Sequence, residues 1–196
     1  MPLKIRNAAS HLIEVASDLF AKYGFDSVSV RQIAKASDLN IASISYYFGS
    51  KDELYLACAE NLVRYLLEKI EAFNEDDYPD AKERLYTYLR QRIATYLDPR
   101  ASILFNLYLR EKLTPTKAYD VIFKAVDELA KQSYDLFKQA FDYLSEEEII
   151  TRHLGLSGYL LLLVTSKEKL FNDLNIKNDT QAIDIIFNQL YQLFLK

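Results

Sequence analysis

The chain has 196 residues, half of them hydrophobic, with four glycines, four prolines, one cysteine and a formal net charge of −4. That content is too apolar for a disordered chain and too poor in turn residues for a β-sandwich, so it predicts helices. The lone Cys58 excludes an internal disulfide or a thiolate metal cluster, and the small negative charge announces no strong electrostatic partner.

The N-terminus, MPLKIRNAASH, has two basic residues but no apolar run behind them, so it does not read as a signal peptide. The longest apolar stretch, Leu154 to Val164, falls short of the ~20 residues that span a bilayer. A reducing cytoplasm and no membrane are the expectation.

Residues 8–22 carry Leu12, Ile13, Val15, Ala16, Leu19 and Phe20 at helical spacing, and Gly24 stands where a helix C-cap belongs. Ser29 and Gln32 fit a capping box that opens a short second helix, with Ile33, Ala34 and Val30 inward and a break at Ser37-Asp38. Asn40 then caps a third helix over 41–48, with Leu39 and Ile44 at the hydrophobic-staple positions. Ile44 and Phe48, four apart, make its inner face. Ile41, Ala42, Ser43, Ser45 and Tyr46 are left largely outward and Tyr47 at the flank, although Tyr46 could also pack inward. Gly49 ends this helix, and Ser50 and Glu53 read as a second capping box opening a helix to about Phe73.

An acidic loop follows at 74–80, then a helix over 80–97. Asp98-Pro99 and Thr114-Pro115 each look like an N-cap followed by proline at the first helical position, giving helices of 99–112 and 115–143. Ser145 to Glu148 opens a helix to about Thr165, a short amphipathic turn spans 167–173, and a last helix runs from 179 to 194. The whole is an all-α fold. A domain boundary is expected near residue 66, giving 1–66 and 67–196.

Two short helices joined by a tight turn, the second exposing its outer face, match the helix-turn-helix layout; an ordinary surface hairpin is the plainer alternative. A reading helix must enter a major groove about 12 Å wide, and no charged side chain occurs from Leu39 to Ser50 to obstruct that entry. Residues 1–60 hold six Lys/Arg and seven Asp/Glu, a balance of −1, so any DNA binding depends on local placement of Lys4, Arg6, Arg31 and Lys51. Lys4 and Arg6 could form a minor-groove arm or a frayed end.

The stretch LIEVASDLFAKYGFDSVSVRQIAKASDLNIASISYYFGSKDEL resembles the DNA-binding domain of TetR-type transcriptional regulators. The matching residues are Ala16, Leu19-Phe20, Gly24, Ser29-Val30, Ile33-Ala34, Tyr47-Phe48, Ser50-Lys51 and Leu54. NIASISYYFGSKDELYLACAE and LREKLTPTKAYDVI, at 109–122, are further similar to the CecR branch of that family. The resemblance implies that Arg31 reads a base, that Ser29 contacts phosphate at its N-cap, and that Ile41, Ala42, Ser43 and Ser45 sit at recognition positions. It implies phosphate contacts for Tyr47 and Lys51. Many members carry tyrosine where this chain has Ser45. The expected half-site combines one guanine read by Arg31 with A/T-rich positions suited to methyl contacts.

Two half-sites about one helical turn apart imply a homodimer. The last two long helices are apolar around most of their circumference and so need burial on two sides. Leu156, Leu160 and Leu163 with Ile183, Ile186, Phe187, Leu190 and Phe194 are the candidate dimer interface, with Gly155 and Gly158 allowing close approach. The family resemblance adds a four-helix dimer bundle here and an effector pocket among the aromatic-rich helices of 80–143, whose lining the sequence does not name. A small-molecule effector bound there would change the separation of the two reading heads through the helix that begins at Ser50.

No cofactor, metal site or catalytic group is expected. Asp76 to Asp80 spells DDxxD, a magnesium-pyrophosphate pattern, but Pro79 interrupts it and it reads as a solvated linker. His11 and His153 have no partner at metal-ligand spacing. The competing functions are an all-α metal-dependent enzyme, which lacks the paired acidic motifs it needs, and a helical adaptor that binds protein.

Overall fold

Leu12, Ala16 and Phe20, at i, i+4 and i+8, are fully buried and seat the first helix, α1 (Leu3–Tyr23), against its neighbours. The computed structural model describes residues 3–71 and 73–196, and among these it contains helices and no strand. The order continues with α2 (Val30–Ala36), α3 (Ile41–Phe48), α4 (Lys51–Glu71), a 3₁₀ turn (Glu75–Asp77), α5 (Ala81–Leu97), α6 (Pro99–Leu113), α7 (Tyr119–Ala140), α8 (Glu146–Asp173) and α9 (Asp179–Phe194). The side chains of Lys4 and Arg6 lie outside the described residues.

Two compact units divide the chain. The first joins Met1–Tyr65 to Ile103–Lys124, and the second joins Leu66–Ser102 to Ala125–Lys196. The single cut expected near residue 66 therefore has a second part, because the later half of α6 and the start of α7 belong with the N-terminal helices.

In the first unit, Ile33 and Ala34 of α2, Ile44 of α3, and Leu54, Cys58, Ala59 and Leu62 of α4 close on the α1 stripe. Phe20, Phe25 and Tyr55 form an aromatic cluster with centroids 4.9 to 5.9 Å apart. Cys58 is fully buried, and burial pushes its thiol up to about 12, so it is an inert core residue. Gly24 (φ 84°) and Gly49 (φ 77°) end α1 and α3 in the left-handed region, each donating its N–H four residues back.

In the second unit, Leu85, Leu89 and Ile93 of α5, Leu129, Leu136 and Phe137 of α7, and buried residues of α8 and α9 make the core. Those last include Leu156, Leu160, Leu163, Ile186, Phe187 and Leu190, which the sequence reading offers to a partner subunit. They are instead interior to the chain's own fold, and Ile183 and Phe194 are half-buried. Gly155 likewise serves α8 and α9 of one chain: a Cβ there would stand 2.5 Å from Phe194 Cε1. The apolar side chains left outward are Ile150, Leu154 and Leu162 on α8 and Leu193 on α9. All-round apolarity of the two helices reveals that two faces exist, and the packing decides which face is which.

Two helix boundaries also differ from the expectation. α8 runs unbroken to Asp173, since no glycine or proline interrupts 165–173; Lys167 Nζ donates to the Leu97 carbonyl and stands 3.8 Å from Asp179. By length and composition alone α8 could cross a membrane, which for a single helix is weak evidence; one of its faces, Leu156, Leu160 and Leu163, is buried within the chain's own fold. α7 begins at Tyr119 although proline at 115 suggests an earlier start. The Thr116 N–H and hydroxyl both turn to the Glu111 carboxylate (2.7 and 2.9 Å), and Thr116 Oγ1 accepts from the Ala118 N–H at 3.1 Å, which holds 114–118 as a turn. The acidic run at 76–80 is a linker whose Asp80 caps α5 by accepting the Glu83 N–H at 2.8 Å.

Candidate nucleic-acid interface

The turn between α2 and α3 is built from short-range chemistry. Ser29 and Gln32 form the full capping box: the Gln32 N–H donates to Ser29 Oγ, and the Ser29 N–H donates to Gln32 Oε1 at 2.7 Å. Asp38 adopts φ 53°, a left-handed value that aspartate tolerates, and turns the chain toward α3. His11 reaches across from α1, its Nε2 3.2 Å from the Ser37 carbonyl oxygen. Asn40 Oδ1 then accepts both the N–H (2.8 Å) and the hydroxyl (2.9 Å) of Ser43.

α3 shows two faces. Ile44 is buried (1% exposed) and Phe48 half-buried, which anchors the helix. Ile41, Ala42 and Ser45 are exposed, and Tyr46 is 73% exposed, which answers the question of its direction. Ser43 and Tyr47 lie half-buried at the edges, and the Tyr46 and Tyr47 rings meet edge to face at 5.0 Å. Because the Ser43 hydroxyl proton is held by Asn40, its oxygen is left as an acceptor. Arg31 is exposed on the first turn of α2, with no hydrogen bond or ion pair among the described residues.

Lys51 has an inward occupation. Its ammonium donates to the carbonyls of Phe25 (3.0 Å) and Val28 (3.2 Å) and sits 4.0 Å from the Phe25 ring centroid. Since Val28 precedes the Ser29 cap, Lys51 fixes the entry to α2. At the start of α4, Ser50 Oγ accepts the Glu53 N–H at 3.2 Å, but the Glu53 carboxylate pairs with Lys117 at 2.7 Å instead of closing a capping box.

Sequence reasoning missed the residues that tie segment 103–124 to this head. Glu111 is 1% exposed and accepts the Tyr55 hydroxyl proton at 2.7 Å as well as both Thr116 donors. Burial, and after it this hydrogen bond to Glu111, raises the pKa of the Tyr55 phenol. Arg110 donates from Nε to the Ala21 carbonyl (3.1 Å) and from Nη2 to that of Lys22 (2.9 Å), covering the last turn of α1. These groups border a cleft of about 200 Å³ that also touches Tyr23, Gly24 and Thr114. The signal available was the run LREKLTPTK itself, in which Thr-Pro reads more readily as a helix start.

An all-helical chain with an N-terminal helix-turn-helix and a charge-free outer face on its second helix has the architecture of helix-turn-helix DNA-binding proteins. Residues 12–58 match the model of the bacterial regulatory proteins, tetR family. Those residues thus resemble the TetR-type DNA-binding domain, and the likeness to CecR extends further along the chain. It is 32% identical to the HTH-type transcriptional dual regulator CecR of Shigella flexneri over 136 residues, 64% of this chain and 60% of that protein. It is also 32% identical over 94 residues to the HTH-type transcriptional regulator RutR of Escherichia coli (strain K12), 48% of this chain and 44% of RutR. The chain thus spans less than two thirds of the length of these relatives. Among solved structures, that of AibR in complex with isovaleryl coenzyme A and operator DNA superposes with a TM-score of 0.73 at 18% identity, covering 95% of this chain and 98% of AibR, a likeness of fold.

Proposed function

We propose that the chain is a ligand-responsive DNA-binding transcriptional regulator, a cytoplasmic repressor that binds a palindromic operator as a homodimer and is released by a small-molecule effector. The observation that carries this reading is the outer face of α3: Ile41, Ala42, Ser45 and Tyr46 exposed without a charge, over a buried Ile44. Methyl and hydroxyl groups at this spacing suit close approach to base edges, thymine methyls above all. Ser29, Ser43, Tyr46 and Tyr47 are the candidates for phosphate or sugar contact at the rim. Lys51 acts first by setting the start of α2, with one ammonium proton beyond its two carbonyl bonds to offer a phosphate.

Fluorescence anisotropy against duplex DNA from upstream of the chain's own gene tests the proposal, with a random duplex as control and two salt concentrations. Tight, saturable binding to the upstream duplex with an even number of protomers is expected. Absence of binding to either duplex at low salt would favour an adaptor. Arg31→Ala should weaken operator binding by about 5- to 150-fold, the ~1–3 kcal/mol of a bidentate guanine contact, and relax preference at one base pair per half-site. A uniform loss across all sequences would instead make Arg31 a phosphate contact.

The dimer is assigned to the outward side of α8 and α9. Ile150, Leu154, Gly158 and Leu162 follow one another at four-residue spacing on α8, and Leu193 is exposed on α9. In a twofold interface each side chain counts twice. Leu154→Arg with Leu162→Arg should convert dimer to monomer in light scattering, since each fully buried leucine contributes roughly 1.5–3 kcal/mol. A double variant that remains dimeric would move the interface elsewhere.

A further inference from the structure

The second unit buries a cation that has no ion-pair partner among the described residues. Arg92, on α5, is 7% exposed. Its Nη2 donates to the Tyr96 hydroxyl at 3.3 Å, while its Nη1 has no hydrogen-bond partner. It makes no ion pair among the described residues. Glu75, which acts on the neighbouring Tyr88, has its carboxylate 3.5 Å from Gln132 Nε2. The Tyr88 hydroxyl is also committed, donating to the Leu129 carbonyl at 3.4 Å.

What surrounds the guanidinium is aromatic. Its central carbon lies 5.2 Å from the Tyr96 ring centroid and 5.8 Å from that of Tyr88, the residues one turn to either side on α5. Phe73 packs edge to face on Tyr88 at 5.3 Å. Ring faces at this range offset only part of the cost of burying a full charge. Arginine has no neutral form to retreat to. The other orphaned atom of this unit among the described residues, His153 Nε2, differs in that respect: burial pushes the imidazole pKa down, toward its neutral form. A water could satisfy a single imidazole nitrogen, but it does not balance a guanidinium.

We infer that Arg92 is the anchor for the carboxylate of the effector, a small organic monoanion with an apolar body. This rests on the regulator reading and deepens it. A planar guanidinium with a free edge matches a planar carboxylate. One buried cation balances one negative charge, whereas a phosphate dianion would leave a surplus in the same apolar surroundings. The flanking rings suit an aromatic or aliphatic stem.

Two measurements on the full chain test this. The first needs no ligand. Replacing an uncompensated buried charge by an apolar side chain of similar length stabilises, so Arg92→Met should melt higher than the parent by about 3 °C or more. A lower melting temperature would show that the fold already compensates Arg92 and would overturn the inference. The second uses benzoate, phenylacetate and hexanoate, with benzamide and phenylacetamide as neutral counterparts and phenyl phosphate as the dianion. At least one carboxylate should raise the melting temperature of the parent, the amides should not, and Arg92→Met should respond to none. Equal responses in parent and variant, a response to phenyl phosphate alone, or no response to any carboxylate would overturn it. Operator binding by the ligand-free parent and by Arg92→Met, measured by anisotropy, is expected to be equal. Loss of the regulator reading would show there as absence of DNA binding in both, independently of the thermal results.

Discussion

Ala42→Glu is expected to abolish operator binding while leaving the fold intact. Ala42 is exposed on the outer face of α3, two residues before the buried Ile44. A carboxylate there would enter a groove walled by phosphates and bases, where unfavourable charge juxtaposition costs several kcal/mol; ~3 kcal/mol is already about 150-fold in affinity. The same change on the first turn of a helix is mildly favourable to the helix itself, because it lies near the positive end of the helix dipole. The melting temperature should therefore hold or rise while anisotropy with the upstream duplex is lost. Full retention of binding would place the reading face elsewhere and sink the groove assignment.

Glu111→Ala should be the most destabilising single change in the first unit. Its carboxylate is the acceptor for the hydroxyl of Tyr55, a residue only 2% exposed, and for the N–H and hydroxyl of Thr116. Removal leaves these donors without their acceptor and opens a void, at about 1–3 kcal/mol for a buried unsatisfied group and about 3–5 kcal/mol for a broken buried network. Tyr55→Phe, which removes a donor and leaves the carboxylate two others, should cost about 1–1.5 kcal/mol. Hydrogen exchange would locate the loss: protection should fall in 114–122 and in the first turns of α4. An Ala variant as stable as the parent would mean that the turn at 114–118 holds without its acceptor.

These two residues differ in how far the sequence reaches. The helix-turn-helix was legible because each of its parts is local. Ser29 and Gln32 cap within three residues, Asn40 and Ser43 do the same, glycines 24 and 49 terminate at positive φ, and Ile44 and Phe48 share a helical face. The outward direction of Ile41, Ala42 and Ser45 follows from that spacing alone. Tyr46 was open only because a phenol suits either side, and its exposure follows from the neighbouring Ile44 taking the core position.

The residues that sequence reasoning misplaced or missed all depend on partners far along the chain. Lys51 reads as an exposed cation at a helix start, yet its ammonium is spent on carbonyls of Phe25 and Val28. Glu111 has no local pattern that singles it out, and only its burial against Tyr55 makes it an acceptor at the centre of a network. Arg92 carries tyrosines one turn to each side, a pattern visible in the sequence, but that its Nη1 has no partner among the described residues is a property of the packed unit. Gly155 advertises close approach without saying of what, and it is Phe194 of the same chain.

By itself, then, the sequence determined the all-helical class, the helix-turn-helix and the face of α3 that is left outward, since capping, periodicity and glycine conformation act over a few residues. The tertiary structure alone decided which sides of α8 and α9 are core, that 103–124 belongs with the N-terminal helices, and that Arg92 is buried without an acid partner among the described residues. Burial and charge pairing are set by neighbours brought together from distant positions, and no local pattern encodes which neighbour arrives.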